Sequence, residues 1–120
     1  MIKTFKDLQV YELSYELALE IFTVSKKFPK EELYSLTNQI GRASRSVAAN
    51  IAEGWAKRKY KNVFIRHLID ANGSCEEVKV WLDFSKDFGY LEQKNYNKLI
   101  AGYNKVGAMI FGLVKNWRDL

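Results

Sequence analysis

The sequence is poor in the residues that fasten small domains covalently or through metals: in 120 residues it has one cysteine, one histidine and one proline. A lone Cys75 excludes an internal disulfide and makes the cytoplasm the expected compartment. One histidine and one cysteine exclude most metal sites built from those ligands, and no Glu-x-x-His pair is present for a di-iron bundle. No apolar run approaches the ~18 residues of a membrane span, and the opening Met1-Ile-Lys-Thr-Phe-Lys-Asp7 lacks the apolar centre of a signal peptide. Walker and dinucleotide-binding glycine patterns are missing as well. These absences predict no cofactor, no metal and no membrane association. What remains is 48% apolar and 28% charged, the balance of a globular protein, and the length suits one domain over 1–120.

Sparse strand signals and heptad-like spacing predict an all-α fold of four helical segments. The first runs from about Asp7 to Lys27 and ends at Phe28-Pro29, because the residue before proline avoids the helical region. It carries two apolar stripes side by side: Leu8, Tyr11, Tyr15, Ala18 and Phe22, then Val10, Leu13, Leu17, Ile21 and Val24. The second, about Ser35 to Lys57, has Ser35 as its expected N-cap, Glu31 and Glu32 near its positive end, and Gly54 as a candidate break or C-cap. Its stripe is Leu36, Ile40, Ala43, Val47 and Ile51. The third, about Lys61 to Phe88, sets Phe64, Leu68, Ala71, Cys75, Val78, Leu82 and Ser85 on a heptad seam, with Gly89 as its C′ residue. A second stripe there is Ile65, Ile69, Trp81, Phe84 and Phe88. The fourth, about Glu92 to Trp117, repeats the seam through Tyr96, Leu99, Tyr103, Val106, Ile110, Leu113 and Trp117. Gly102, Gly107 and Gly112 lie between those positions and suggest a closely approaching neighbour. Short connections predict an antiparallel up-down-up-down four-helix bundle. A bundle needs one apolar stripe per helix, so the surplus stripes of the first and third predict self-association.

The charge is segregated. Residues 41–66 hold Arg42, Arg45, Lys57, Arg58, Lys59, Lys61 and Arg66 against Glu53 alone, while the rest of the chain has twelve basic and thirteen acidic residues. The run Lys57-Arg58-Lys59-Tyr60-Lys61 interleaves an aromatic ring with cations, a pattern suited to phosphates and a stacked base, with Trp55 as a further stacking candidate. A solvated turn complementing a helix dipole has the same composition. Catalytic equipment is thin: His67 has only Asp70 one turn away as a partner. The adjacent Glu76 and Glu77 point in different directions, and Cys75 reads as a core residue. Glu53 stands at a helix C-terminus, where a carboxylate is disfavoured. It therefore predicts a partner among Arg42, Arg45, Arg66 or a backbone donor, and a structural polar network with Asn50.

Several segments carry a family resemblance. They are Phe5-Lys-Asp-Leu8-Gln-Val10, Phe28-Pro29, Leu36-Thr37-Asn38-Gln39-Ile40, and Ser46-Val47-Ala48-Ala49-Asn50-Ile51-Ala52-Glu53-Gly54. Ala71-Asn72-Gly73-Ser74, Glu76-Glu77 and Phe88-Gly89-Tyr90-Leu91 follow. In this order they resemble the bacterial four-helix-bundle proteins encoded in intervening sequences of large-subunit ribosomal RNA genes. Two departures stand out. Gly41-Arg42-Ala43 replaces a frequent arginine pair, and Ala48 replaces a usual proline, which predicts a straighter second helix. The resemblance implies a ring, a homopentamer, and no enzymatic activity. It also implies an analogy in architecture with the accessory variability determinant of diversity-generating retroelements, a basic pentamer that binds nucleic acid and a reverse transcriptase. The expected partners are therefore further copies of the chain, RNA or DNA, and a reverse transcriptase or other mobile-element protein.

Overall fold

A computed structural model describes residues 1–118. Among them there are four long helices and no strand: α1 Gln9–Ser25, α2 Leu36–Ala56, α3 Lys61–Asp87 and α4 Gln93–Arg118. Two 3-10 turns, Phe5–Asp7 and Lys30–Glu32, precede α1 and α2. Each helix packs on its chain neighbours and α1 closes the square against α4, with α2 and α3 sharing the broadest contact. This is an antiparallel four-helix bundle with a long axis of 46 Å. The α2–α3 turn shares one end of the bundle with the start of α1 and the end of α4. The other two connections occupy the opposite end.

The expected seams form the core. Leu36, Ile40, Ala43, Val47 and Ile51 of α2 are buried, as are Phe64, Leu68, Ala71, Cys75, Val78, Leu82 and Ser85 of α3 and Leu99, Tyr103, Val106 and Ile110 of α4. In α1 the buried line is Val10, Ser14, Leu17, Ile21 and Ser25, close to the second stripe. Ser14 and Ser25 enter it at little cost because their hydroxyls donate to carbonyls three residues back, of Tyr11 and Phe22.

The helix ends differ from expectation in four places. α1 starts two residues late because Asp7 serves an earlier turn: its carboxylate accepts from the backbone N–H groups of Lys3 and Thr4, and the Thr4 hydroxyl accepts from Lys6 N. α1 stops at Ser25, three residues before Phe28, and Pro29 instead opens the turn that leads to α2. Ser35 holds the N-cap position of α2 without capping it, because its backbone (φ −128°, ψ −107°) makes no side-chain cap bond there. The Glu32 carboxylate accepts from Leu36 N at 3.4 Å in its place. Gly54 neither breaks nor caps α2, which runs past it to Ala56 and unbroken through Ala48. Gly89 does end α3, with φ +81°, and a Schellman pair closes the helix: Tyr90 N to Ser85 O and Gly89 N to Lys86 O, both 2.9 Å.

Candidate nucleic-acid interface

Two helices meet unusually closely where α2 ends. A Cβ on Gly54 would lie 2.8 Å from His67 Cβ and 3.1 Å from Phe64 Cδ1, so only glycine lets α3 seat at that distance. The approach brings His67 against Asn50. The Asn50 amide nitrogen donates to the Ser46 carbonyl (3.0 Å) and the Ser46 hydroxyl (3.2 Å), which turns its oxygen toward His67 Nδ1 at 3.2 Å. An acceptor there assigns a proton to Nδ1. Nε2 then looks outward, 3.3 Å from Lys57 Nζ and 3.7 Å from Glu53 Oε2. The line continues inward from Ser46 to the Ser74 hydroxyl on α3 at 2.9 Å. The run Asn50-Ile51-Ala52-Glu53-Gly54 thus surrounds the chain's one histidine, with Asn50 on one ring nitrogen, Glu53 on the other and Gly54 making room.

Two sequence expectations fail here. Glu53 pairs with Lys57 (3.5 Å), not with Arg42, Arg45 or Arg66, and lies beside His67. His67 is tied to Asn50 across the helix contact, so its ordering partner is not Asp70 on its own helix. The signal for Lys57 was its i+4 spacing from Glu53. The Asn50–His67 contact joins two helices, and nothing local announces it.

The basic residues fall into two groups. Lys57, Arg58, Lys59, Tyr60 and Lys61 form the corner between α2 and α3, with Arg66 just above on the outer side of α3. Arg58 is partly committed: it donates to Trp55 O at 2.8 Å and lies 4.2 Å over the Trp55 ring, covering the C-terminal carbonyls of α2. Trp55 in turn packs edge-on against Phe64 and Trp117, so it belongs to the bundle wall. Tyr60 is 64% exposed, and no ion pair holds Lys59 or Arg66 among the described residues. Lys61 begins α3 half-buried. Arg45 lies twelve residues up α2 from Lys57, about 18 Å along a helix. Its guanidinium folds back beside Gly41, where a Cβ would meet Nη1 at 3.2 Å. Arg42, also exposed, lies one turn farther up α2. Sequence proximity had grouped these two with the corner, and the rise of the helix separates them from it.

Arg45 borders the second feature, an open apolar groove of about 980 Å³ between α1 and α2. Tyr11, Tyr15, Leu19 and Phe22 of α1 line one wall, Phe5 and Leu33 lie at its ends, and Gly41, Ser44, Ala48 and Ala52 form the floor. Phe22 is 57% exposed, with the Lys26 ammonium 4.5 Å above its ring. The first stripe of α1 is thus split: Leu8 is in the core and Tyr11 packs on Phe5, while Tyr15 and Phe22 stay exposed in the groove. On the far side of the bundle Ile69, Val80 and Phe84 of α3 and Phe111 of α4 are exposed too.

Other candidate groups are engaged structurally. Cys75 is buried and donates through sulfur to Tyr103 O at 3.2 Å, and burial pushes its thiol up to about 11. Glu76 pairs with Lys79, and Glu77 accepts from the Trp81 indole. Of the α4 glycines, Gly102 meets a close neighbour, since a Cβ there would lie 2.6 Å from Leu17 Cδ2. Gly112 has open space around it, and Gly107 faces Asn72 at an ordinary 3.6 Å. Among the described residues no helix is long and apolar enough to cross a membrane, and no group of three acidic, histidine or cysteine side chains is placed to hold a metal.

The molecule is therefore a small antiparallel helical bundle with a cationic corner and unpartnered apolar faces. It belongs to the family described as 23S rRNA-intervening sequence protein, whose model matches residues 6–112. A crystal structure of a protein of unknown function from the S23 ribosomal protein family of Bacteroides thetaiotaomicron superposes with a TM-score of 0.80 at 23% identity, covering 88% of this chain and 95% of that one. At that identity the likeness shows the fold alone. No curated protein matches the chain.

Proposed function

We propose that the chain is a non-catalytic, self-assembling protein that binds nucleic acid, RNA in the first instance, through the α2–α3 corner. One observation carries the reading: Lys57, Arg58, Lys59, Lys61 and Arg66 are gathered at the corner with Glu53 as the one nearby acid of residues 41–66, around an exposed Tyr60. Cations neutralise phosphates while an aromatic face takes a base without regard to sequence. A cytoplasmic home fits the lone free thiol of Cys75. Self-assembly is supported by two different exposed apolar faces on one bundle. An isologous dimer matches one face with itself, whereas two unlike faces fit head-to-tail contacts that close a ring, with a pentamer as the expectation. Ring formation repeats the corner around an axis and raises its avidity for a polyanion.

The test is the salt dependence of binding to a single-stranded RNA. Affinity is expected to fall linearly on logarithmic axes. Lys59→Ala with Arg66→Ala should flatten the slope by about 1.4, at about 0.7 for each lost phosphate contact on a single strand. Salt-independent binding, or an unchanged slope, overturns the reading. The groove favours a second one, a scaffold for a reverse transcriptase or other mobile-element protein. Retention of a protein partner after nuclease treatment, lost in Phe22→Glu, would establish it in place of the first.

A further inference from the structure

Glu53 is the one acidic residue among residues 41–66, and its position is specific. A single oxygen, Oε2, lies 3.5 Å from Lys57 Nζ and 3.7 Å from His67 Nε2. It stands at the negative end of α2, where the helix itself disfavours it. His67 is 16% exposed and fixed from behind by Asn50, which leaves Nε2 to accept from the Lys57 ammonium at 3.3 Å, whereas Glu53 is 62% exposed and held from nowhere else. His67 is thus built into the wall and steadies the half-exposed Lys57 ammonium, on which the carboxylate rests from solvent. An exposed ion pair of this kind contributes ~1 kcal/mol or less, so it is readily exchanged for another anion.

We propose that the Lys57 ammonium, steadied by His67, is a seat for a phosphodiester oxygen and that Glu53 is its built-in competitor, occupying the seat when no nucleic acid is bound. The inference rests on the RNA-binding reading above and names the point at which the backbone is held. On binding, the Glu53 side chain swings into solvent and a phosphate oxygen takes its place. Lys57 donates to that oxygen while another of its protons keeps the hydrogen bond to His67 Nε2. The groups that bear on His67 are Asn50, Glu53 and Lys57 from α2, with Asp70 one turn along α3. Lys59 and Arg66 lie within the same corner to receive neighbouring phosphates. The competitor sets a threshold: an isolated small anion displaces Glu53 poorly, whereas a strand also gripped by Lys59, Tyr60 and Arg66 displaces it readily.

The experiment compares the full-length protein, Glu53→Gln and the charge-matched control Glu16→Gln for affinity toward a short oligouridylate, and follows the His67 imidazole nitrogen signals during each titration. Glu53→Gln removes a surface charge and leaves the core untouched, so the variant folds. It is expected to bind about fivefold more tightly than the wild type, the counterpart of removing ~1 kcal/mol of competition. Glu16→Gln should bind like the wild type, and the Nε2 signal should shift as the strand saturates and draws on the Lys57 ammonium beside it. Equal affinity of Glu53→Gln and wild type, an equal gain in Glu16→Gln, or a stationary His67 signal with bound RNA overturns the seat and leaves RNA binding standing. Absence of any binding by the wild type overturns both.

Discussion

Gly54 and Gly112 are the same residue type in helix interiors and should respond oppositely to a methyl group. At Gly54 the added carbon meets the His67 Cβ, which is anchored to the backbone and cannot swing aside. Gly54→Ala is expected to destabilise the fold by about 1–3 kcal/mol. At Gly112 there is nothing within 4 Å, and alanine should stabilise by about 0.5–1 kcal/mol through helix propensity alone. Urea denaturation of the two variants checks both signs. Tyr103 is a third case: its hydroxyl is buried without a hydrogen-bond partner, and Tyr103→Phe should be neutral or stabilise by about 1 kcal/mol. The Cys75 thiol, held up to about 11 by burial, contributes stability that is complete below its unfolded value near 9 and is lost as pH rises toward 11. A thiol reagent at pH 8 should accordingly react with Cys75 only on unfolding.

The helices themselves were legible from periodicity, and their junctions were not. The seams of α2, α3 and α4 are written in the three-and-four spacing of single helices. Those of α2 and α3 are buried throughout, and that of α4 is buried from Leu99 to Ile110 while Tyr96, Leu113 and Trp117 are only partly covered. Gly89 could be read because its left-handed turn is a local demand. It should cost about 1 kcal/mol to replace Gly89 by alanine, measurable by thermal unfolding. Asp7 illustrates the opposite. An acidic residue before an apolar run suits the first turn of a helix, but its carboxylate is taken by the Lys3 and Thr4 amides, and those bonds hold it below the usual carboxylate range. That contribution is present above the ordinary carboxylate pKa and is lost as pH falls through the lowered one, so fraying of the Phe5–Asp7 turn should precede global acid unfolding in amide exchange. The pairing of His67 with Asn50 was hidden for a different reason. It depends on how two helices cross, and the crossing is set by a missing side chain at Gly54, which has no period to detect.

At the scale of the whole molecule, the surplus apolar stripe of α1 could be counted in the sequence, but its location could not. It lines an open groove, and Phe22 is the most exposed of the rings on that wall. If the proposed self-assembly uses this groove, Phe22→Glu should leave the helix content unchanged and reduce the assembly to monomers in light scattering, because the charge enters its exposed apolar wall. The basic residues show the complementary effect. The linear cluster at 57–61 stayed together, whereas Arg42 and Arg45 were carried away by the length of α2.

Arg58 lies on the face of Trp55, and Trp55 touches Trp117 through its edge at 6.3 Å between ring centres. The third tryptophan, Trp81, stands twenty residues farther along α3 than Lys61, about 30 Å away, beside Glu77. The molecule thus has its own optical reporter: two indoles that feel any cation leaving the corner, and a distant one that serves as an internal reference. Ligand binding and assembly can be followed by their emission without attaching a dye.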